Sequence, residues 1–599
     1  MDERVLRSMI DDVGAGRLSR RGFVQAMVGL GLTAPLASQM LLSAGIAHAQ
    51  PKPAGPVPTK RGGGGPLKVL WWQAPTLLNP HFATGTKDQD GSRIFYEPLA
   101  AYDPEGNLFP VLAAEVPSLQ NGAVAKDGKS VVWKLKKGVT WHDGKPFTAD
   151  DVVFNWEYAA DPATAATTIG SYKDITRIEK IDSHTVRLHF AKPTPFWYDA
   201  FCGPRGMIIP KHLFETYKGG KSREAPTNLR PVGTGPYRFV DFKPGDTVRG
   251  ELNPTYHVPN RPFFDSIEMK GGGDAVSAAR AVIQTGEYDY AWNMQVEDEI
   301  LKRLEQGGKG RADIALGGNM EHIQYNFTDP WKEVDGERSS LKAPHPFLTD
   351  PAVRQAVNLL VDRAGVQEQI YGRTGITTAN FLNAPAQFNS KSTKWEFSVD
   401  KANQVLEAAG WKRGADGVRA KDGKRLKMVY QTSINAPRQK TQAIVKQAAA
   451  KAGIEMELKS VTASVFFSSD PANPDTYSHF STDIQMYTTT QTAPDPGTFM
   501  EQFASWEAAS KENKWQGRNI TRWHSEEYDK TFKAAESEMD PVKRAALFVR
   551  MNDLVIQHVV VTPVVWRPRV AAVTNKLKNA EQSGWDGDFW RLPFWYKEA

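Results

Sequence analysis

The chain has 599 residues, a length that exceeds one compact core and indicates two or more domains. Hydrophobic residues make up 40% of it and charged residues 24%, which excludes disordered and fibrous classes. The net charge of +6 is small for this length and gives no basis for nucleic-acid binding. The single cysteine, Cys202, excludes an intramolecular disulfide framework and a cysteine-rich metal site.

The first 49 residues have the pattern of an export signal. Arg20 and Arg21 precede an apolar stretch over residues 26–42, and Ala47-His48-Ala49 forms a small-residue cleavage site. Glycine and proline interrupt the apolar stretch, which disfavours a membrane anchor. The arginine pair points to the twin-arginine export machinery, and the resemblance to such signals implies folding before export. We therefore expect a soluble periplasmic protein without a lipid anchor.

The predicted elements after the signal alternate between strands and helices. Residues 50–66 are rich in proline and glycine and are predicted to form a flexible leader. A strand is predicted at Leu67–Trp72, and two paired strands are predicted at Val131–Lys136 and Val139–Trp141 around a turn at Lys137-Gly138. No segment after the signal has the length and apolarity of a transmembrane helix. The alternation favours an α/β architecture.

Helices are predicted from capping residues and apolar spacing. Thr148 is placed to cap a helix at Ala149–Ala160, with Asp151 at the capping-box position. Asp350-Pro351 opens another helix, with an apolar face formed by Val353, Val357 and Leu360. Two later helices end before glycines, and a half-buried strand follows the second; these elements are predicted at Asp400–Ala409, Thr441–Ala452 and Ile454–Leu458.

Several fragments resemble catalytic motifs without completing them. Gly219-Gly220-Lys221-Ser222 resembles the end of a phosphate-binding loop, but Glu215 occupies the position of the required first glycine. Gly233-Thr234-Gly235 opens no long helix, so a dinucleotide site is not indicated. His142-Asp143 could be half of a catalytic triad, but no serine stands in a strained turn such as G-x-S-x-G. The twelve histidines form no metal-binding motif. We expect no catalytic residue, no metal and no cofactor.

One long segment carries a family resemblance. The run from Val131 to Val152, which contains Trp141-His142-Asp143-Gly144 and Thr148-Ala149-Asp150-Asp151, closely resembles the hallmark of the bacterial extracellular solute-binding family 5. This family comprises dipeptide- and oligopeptide-binding proteins of ATP-driven importers. Further blocks follow in the family's order: Asn79-Pro80, Tyr96-Glu97-Pro98-Leu99, Gly233-Thr234-Gly235-Pro236-Tyr237, Asn253-Pro254, Phe264-Asp265 and Asp350-Pro351. The hallmark's own role is expected to be structural.

The resemblance implies a two-lobed α/β protein of the periplasmic-binding-protein type II, cluster C fold that closes over its ligand. Lobe one would comprise residues 67–324 and 558–599, with an extra subdomain at about 97–225, and lobe two would comprise residues 325–557. The implied partners are a small-molecule or peptide ligand and an inner-membrane ABC permease with its ATPase. A monomer is expected. The alternative function is a periplasmic sensor or holdase of the same fold without a dedicated transporter.

The ligand anchors known for dipeptide-binding relatives differ here. Those relatives hold the ligand's amine with an aspartate four residues before a proline, and counting back from Pro496 places Thr492 there. Asp495 remains beside that proline. Their carboxylate-binding arginine aligns with Thr432, with Arg438 six residues on. An unpaired buried ligand charge is costly, so a zwitterionic dipeptide is disfavoured unless Asp495 and Arg438 replace the two anchors.

The candidate ligand-binding residues are neutral, polar and aromatic. Such a set suits longer or blocked peptides, oligosaccharides or opine-like conjugates, and the sequence leaves these alternatives open. The complete set is Thr84, Gly85, Trp292, Asn293, Tyr325, Asn326, Gln431, Thr432, Asn435, Tyr487, Thr492 and Asp495.

Overall fold

The computed structural model describes residues 58–598 except residue 105, together with residues 8–10, 12, 13 and 23. Apart from those early positions, the predicted export signal and the first part of the predicted leader lie outside the described residues. Within the described part of the chain, no helix combines the length and apolarity needed to cross a membrane.

Strands are distributed along the whole described chain. In order they are β1 Pro66–Leu70, β2 Ala100–Tyr102, β3 Leu108–Pro110, β4 Ser130–Lys134, β5 Ile175–Asp182, β6 Thr185–Phe190, β7 Tyr237–Lys243, β8 Thr247–Leu252, β9 Ser266–Lys270, β10 Tyr290–Ala291, β11 Gly310–Tyr325, β12 Ile376–Thr377, β13 Lys412–Arg413, β14 Arg419–Lys421, β15 Lys424–Arg425, β16 Lys427–Ser433, β17 Glu455–Val461, β18 Ile484–Gln491, β19 Val561–Thr574, β20 Leu577–Lys578 and β21 Tyr596–Lys597.

The α-helices occur between these strands. They are α1 Thr86–Arg93, α2 Ala149–Ala160, α3 Ile169–Tyr172, α4 Lys211–Phe214, α5 Ala275–Ala279, α6 Asp298–Glu305, α7 Pro351–Leu359, α8 Arg363–Val366, α9 Val399–Ala408, α10 Ala436–Lys451, α11 Ala463–Phe466, α12 Gly497–Met500, α13 Glu526–Ser537 and α14 Pro541–Gln557.

One eleven-stranded sheet runs through the molecule. Its order is β17-β16-β18-β11-β19-β10-β1-β9-β8-β7, with β12 paired to β19. The long strands β11 and β19 are antiparallel neighbours at its centre. β1 is parallel to β9 and β10 on one side, and β16 is parallel to β17 and β18 on the other. The central pair therefore connects two α/β halves.

Buried apolar side chains divide into separate cores. The first is built mainly from residues between Leu67 and Leu304 and between Val570 and Trp595. The second is built from residues between Ile323 and Val565, and a third packs beside it around Phe499 and Phe503. We call the part around the first core lobe one and the rest lobe two. The mixed α/β chain with separate cores agrees with the predicted two-lobed architecture; the residue boundaries proposed for the lobes stay a prediction.

The predicted hairpin in the hallmark segment is wrong. β4 pairs antiparallel with β6, with Val131 opposite Leu188, and forms a three-stranded sheet with β5. Residues 139–141 form no strand; the Trp141 amide instead donates to the Lys145 carbonyl at 2.8 Å in a tight loop. Gly138 has a left-handed φ of 76°, which turns the chain away from β4 and leaves that strand's edge to β6.

Helix α10 begins earlier than predicted. The sequence pattern placed its start at Thr441, but it runs from Ala436 and its last turn ends at Lys451. The Asn435 side chain accepts a hydrogen bond from the Arg438 amide at 3.2 Å, and Pro437 lies in the first turn, where its missing amide hydrogen costs nothing. The asparagine–proline start signal was missed, and Asn435 caps this helix.

Helix α2 matches its prediction at both ends. The Thr148 hydroxyl accepts from the Asp150 amide at 3.3 Å, and the Asp151 carboxylate accepts from the Thr148 amide at 2.9 Å. Both orphan donors at the helix start are thereby satisfied. Asp151 also accepts from the Lys211 amide at 3.1 Å, so the cap connects α2 to the start of α4.

Replacing Thr148 with alanine is expected to lower the free energy of unfolding by about 1 kcal/mol, because the helix loses its hydroxyl cap. Urea titration followed by circular dichroism measures this change. Thr148→Ser keeps the capping oxygen and should recover most of the loss. Equal destabilisation by the two variants would show that the threonine methyl group, rather than the cap, stabilises this region.

Candidate functional site

A cavity of about 260 Å³ lies between the two lobes. Lobe one contributes residues that precede or begin α1 and a short segment after β10. Lobe two contributes β18 and the loops on either side of it. Its polar, aromatic and basic lining residues include Thr84, Gly85, Lys87, Arg205, Trp292, Asn293, Arg438, Phe467, Tyr477, Tyr487, Thr492, Trp515, Arg518, Arg567 and Arg569.

The two lobes are in contact around this cavity. Lys440 of α10 forms an ion pair with Glu297 at 2.7 Å, and Lys192 forms one with Glu536 at 2.7 Å. The Arg223 guanidinium donates to the Ser469 carbonyl at 3.4 Å. Contacts from separate parts of both lobes therefore hold the described conformation closed over the cavity.

Six of the twelve predicted site residues line the cavity. Thr84 and Gly85 stand at the start of α1, Trp292 and Asn293 follow β10, and Tyr487 lies on β18 with Thr492 just beyond it; these are the residues concerned. The Trp292 ring stacks on Trp71, with centroids 6.2 Å apart, while the Tyr487 hydroxyl accepts from Gln324 at 3.2 Å. The structure thus brings residues from distant parts of the chain to one surface, and their contact with a ligand stays a prediction.

Four predicted residues lie inside lobe two, away from the cavity lining. The Tyr325 and Thr562 hydroxyls are hydrogen-bonded at 2.7 Å, and the Asn326 amide donates to the Phe480 carbonyl at 2.8 Å. Gln431 donates to the Gln485 side chain at 3.0 Å, and the Thr432 hydroxyl donates to the Met486 carbonyl at 2.7 Å. These side chains are engaged in holding neighbouring strands and loops together.

Asn435 and Asp495 also lie outside the cavity lining. Asn435 caps α10, as described above. Asp495 is buried and forms a two-pronged ion pair with Arg544 of α14, one contact of which is 3.0 Å. The Asp495 carboxylate is therefore already neutralised within lobe two.

A buried ionic network forms one wall of the cavity. Glu321 of β11 accepts from the Arg438 Nε at 2.7 Å, and Arg567 Nη1 lies 3.7 Å from the same carboxylate. Thr488 of β18 accepts from Arg438 and from Arg567, at 3.0 Å in each case. Burial raises the pKa of Glu321, but the charges of the two arginines and the hydrogen bonds from Arg438 and Thr488 outweigh it and hold that pKa below its ordinary value. Arg438 thus reaches the cavity already paired.

Aromatic rings form much of the lobe-two wall. The Tyr477 and Tyr487 rings lie 5.0 Å apart, and Phe467 packs against both. Trp515 stacks on His479 with centroids 4.0 Å apart. Sequence patterns missed Phe467, Tyr477 and Trp515 because they lie in irregular loops without a repeating apolar spacing.

The hallmark's His142-Asp143 pair has structural contacts. His142 accepts from the Gly233 amide at 3.1 Å and donates to the Gly235 carbonyl at 3.0 Å. Burial lowers the pKa of His142 to about 4, so the ring is neutral and holds this glycine turn. Asp143 pairs with His212 at 2.6 Å. Across residues 58–598 and the few described before them, no group of three or more histidine, cysteine or acidic residues is arranged to hold a metal.

Comparisons with known proteins extend this picture. Residues 107–511 match the family model of bacterial extracellular solute-binding proteins, family 5, middle region. The oligopeptide-binding protein AppA of Bacillus subtilis is 29% identical over 406 residues, which cover 66% of this chain and 69% of AppA. The glutathione-binding protein GsiB of Shigella dysenteriae is 24% identical over 531 residues, which cover 86% of this chain and 90% of GsiB.

The solved structure of B. subtilis AppA in complex with a nonapeptide superposes with a TM-score of 0.77 at 24% identity, covering 90% of this chain and all of that one. This similarity shows the two-lobed fold of periplasmic binding proteins. The family match covers about two thirds of the chain and includes most of the cavity lining. The chain belongs to the bacterial extracellular solute-binding proteins of family 5.

Proposed function

We propose that this protein captures a small polar solute between its lobes in the periplasm and delivers it to the permease of an ABC importer. The observation that carries the proposal is the cavity that lies between the lobes and is lined by side chains of both. Family membership supports it, as do relatives named for binding oligopeptides and glutathione. The protein would be exported by the twin-arginine route and act as a monomer without catalytic activity.

Capture follows from the two-lobed geometry. A solute that contacts Thr84 and Trp292 in lobe one and Tyr487 and Thr492 in lobe two interacts with both only when the lobes are closed. Its binding free energy therefore shifts the equilibrium towards the closed form. A permease that recognises the closed form would thereby distinguish loaded from empty protein. Hydrolysis of ATP by the importer's ATPase supplies the energy.

The lobes would be divided as the family resemblance implies. Lobe one would comprise residues 67–324 and 558–599, with the extra subdomain at about 97–225, and lobe two would comprise residues 325–557. The first core supports the assignment of the end of β19 to lobe one, whereas Val564 and Val565 at its start belong to the second core. β11 and β19 therefore both run from one core to the other. Bending of these two strands would open the cavity.

A dipeptide held by its two charged ends is disfavoured as the solute. The position corresponding to the amine anchor is Thr492, which carries no charge, and the neighbouring Asp495 is occupied by Arg544. Leaving a ligand ammonium group without a counter-charge in a closed cavity is costly. The solute is instead expected to contact aromatic rings and hydroxyl groups, as longer or blocked peptides, oligosaccharides or opine-like conjugates can.

Native mass spectrometry of the mature protein, purified from its own host's periplasm, tests this proposal. We expect a releasable small molecule, and its re-addition to stripped protein should raise the melting temperature and reduce the radius of gyration measured by X-ray scattering. Thr84→Trp should block the cavity and abolish both responses. Thr176→Trp, on an exposed position of β5, should retain them.

An empty protein that also fails to respond to panels of peptides, oligosaccharides and opines would contradict the importer function. It would favour a periplasmic sensor or holdase of the same fold. A retained solute whose binding survives Thr84→Trp unchanged would instead place the binding site outside this cavity.

A further inference from the structure

The cavity is lined by more positive than negative side chains. Its cationic lining residues are Lys87, Arg205, Arg438, Arg518, Arg567 and Arg569, and its acidic lining residues are Asp470 and Asp588. The inference below rests on the proposed function, because it concerns the solute that this cavity receives. The question is which of these charges are already neutralised by the protein.

Four of the six cations have a carboxylate partner. Lys87 pairs with the buried Asp88 at 2.7 Å, and Arg569 pairs with Asp588. Arg438 and Arg567 share Glu321, as described above. These pairs belong to the wall of the cavity and are satisfied without a ligand.

Arg205 and Arg518 differ from these four. In the described part of the chain, no carboxylate oxygen lies within 4.0 Å of either guanidinium group, the distance that defines an ion pair. The Arg205 guanidinium donates to the Ser171 hydroxyl at 3.2 Å and to the Thr167 carbonyl at 3.0 Å, and the Arg518 guanidinium donates to the Thr498 carbonyl. Each guanidinium group therefore donates only to neutral oxygens of the protein, while the Arg518 backbone amide donates to the Glu507 carboxylate at 3.4 Å. Both residues line the cavity.

The two arginines approach the cavity from opposite lobes. Arg205 is the last residue of a short turn of lobe one that begins after the buried Cys202. Arg518 lies two residues before Ile520, which packs with Tyr487 in lobe two. Burial and the positive charge of Arg518 lower the pKa of Arg205 to about 10, although the charges of Asp199, Glu501 and Glu507 raise it. Closure thus brings two like charges towards each other.

Three acids lie near the two arginines, but in the described part of the chain none forms an ion pair with either guanidinium group. Glu501 is paired with Lys173 and accepts from the Trp506 indole at 3.3 Å. Glu507 lies 3.8 Å from the same lysine; burial and the charge of Glu501 raise its pKa, while Lys173 and Arg518 lower it. Asp199 accepts from the Thr498 hydroxyl at 2.5 Å. All three acids therefore act on Arg205 through their charge at longer range rather than by direct pairing.

We propose that an oxyanion group of the solute binds between Arg205 and Arg518, and that this protein consequently takes up acidic solutes. A guanidinium group can donate two parallel hydrogen bonds to a carboxylate or phosphate, which makes arginine suited to this role. An oxyanion that contacts one arginine from each lobe also removes the repulsion that opposes closure. The anion thereby contributes both to affinity and to the selection of the closed form.

The test uses glutarate and inorganic phosphate as probes, each compared with sodium chloride at equal ionic strength. At least one oxyanion should raise the melting temperature of the wild-type protein above its value in chloride. Arg205→Gln and Arg518→Gln should each remove most of that increment, which corresponds to an affinity lowered about ten- to hundredfold. A response to glutarate alone identifies a carboxylate site, and a response to phosphate alone identifies a phosphate site.

Arg223→Gln is the matched control, because Arg223 also contacts the other lobe but does not line the cavity. It should keep the wild-type increment. Each variant is compared with its own value in chloride, so a general loss of stability does not affect the result. An increment that is absent from the wild type, or that persists in both glutamine variants, would overturn the proposal.

Failure of this inference is distinguishable from failure of the proposed function. The first outcome is that the wild-type protein captures a neutral solute and both glutamine variants bind that solute with undiminished affinity. Solute capture would then stand, and the anion site would be wrong. A protein that responds to oxyanions through Arg205 and Arg518 but retains no solute and closes over none would keep the anion site and contradict solute capture.

Discussion

Replacing Glu321 with glutamine is expected to lower the free energy of unfolding by about 3–5 kcal/mol, the range for breaking a buried ion pair by removing one partner. Glu321 is fully buried and is the shared counter-charge of Arg438 and Arg567. Glutamine keeps the size of the side chain but leaves two buried guanidinium groups without a carboxylate. Urea denaturation followed by tryptophan fluorescence measures the loss.

Glu299→Gln is the matched control for this substitution. Glu299 lies on the exposed face of α6 and pairs with Lys302 one turn away at 2.7 Å. Its loss should change the unfolding free energy by less than about 0.5 kcal/mol, because exposed pairs contribute little. Similar effects of the two variants would mean that solvent or a neighbouring group replaces the Glu321 charge, contrary to the arrangement described here.

Glu321→Gln also separates stability from capture. The arginines released by this substitution reach the cavity wall and would attract anions there. If an acidic solute restores the stability that Glu321→Gln has lost, that solute must reach Arg438 and Arg567 in the cavity wall. This outcome would complement the test of Arg205 and Arg518.

Local sequence signals predicted local structure well. Thr148 and Asp151 marked the start of α2 because every atom of a capping box lies within four residues. Asp350 and Pro351 marked the start of α7 for the same reason. The hairpin after Val131 was mispredicted because the partner of β4 is β6, more than fifty residues away, and no local pattern specifies that pairing.

Only half of the predicted site residues line the cavity, because tertiary contacts also determine which side chains reach it. Thr84, which follows the first predicted strand, and Trp292 could be proposed as site residues from the fold that the family resemblance implied, and both line the cavity. Arg205 and Arg518 could not, because they lie in loops whose course depends on tertiary contacts.

Asp495 shows the limit of arguing from a loop motif. Its partner, Arg544, is 49 residues away on another element, so the sequence could not reveal that its charge was already neutralised.

Acidic pH is expected to destabilise the protein through His322, a histidine behind the aromatic wall. It is fully buried, its Nδ1 donates to the Met320 carbonyl at 3.0 Å, and its ring packs against Phe381 and Tyr487. Burial lowers its pKa to about 4; the Met320 carbonyl and the charge of Glu321 raise it, while Arg438 lowers it further. The folded protein therefore holds His322 neutral at pH values where the unfolded chain, with a histidine pKa of about 6.5, binds a proton.

The sign of the effect follows from this difference. Between about pH 6.5 and pH 4 the unfolded state binds more protons at this position, so the free energy of unfolding falls as the pH falls, by about 1.4 kcal/mol per pH unit. His322→Phe preserves an aromatic ring but removes the titration. The difference in unfolding free energy between wild type and His322→Phe should consequently fall by about 2–3 kcal/mol from pH 7.5 to pH 4.5.

Urea denaturation of both proteins at pH 7.5, 6.0 and 4.5 gives this difference directly, and other titrating groups cancel in the comparison. His524→Phe, at an exposed position, is the control for replacing a histidine ring with a phenyl ring. If the cost of His322→Phe were independent of pH, the ring would have to be solvated or protonated in the folded state. Tyr487, which packs on that ring and lines the cavity, would then pack against a solvated or charged ring rather than against the buried neutral one described here.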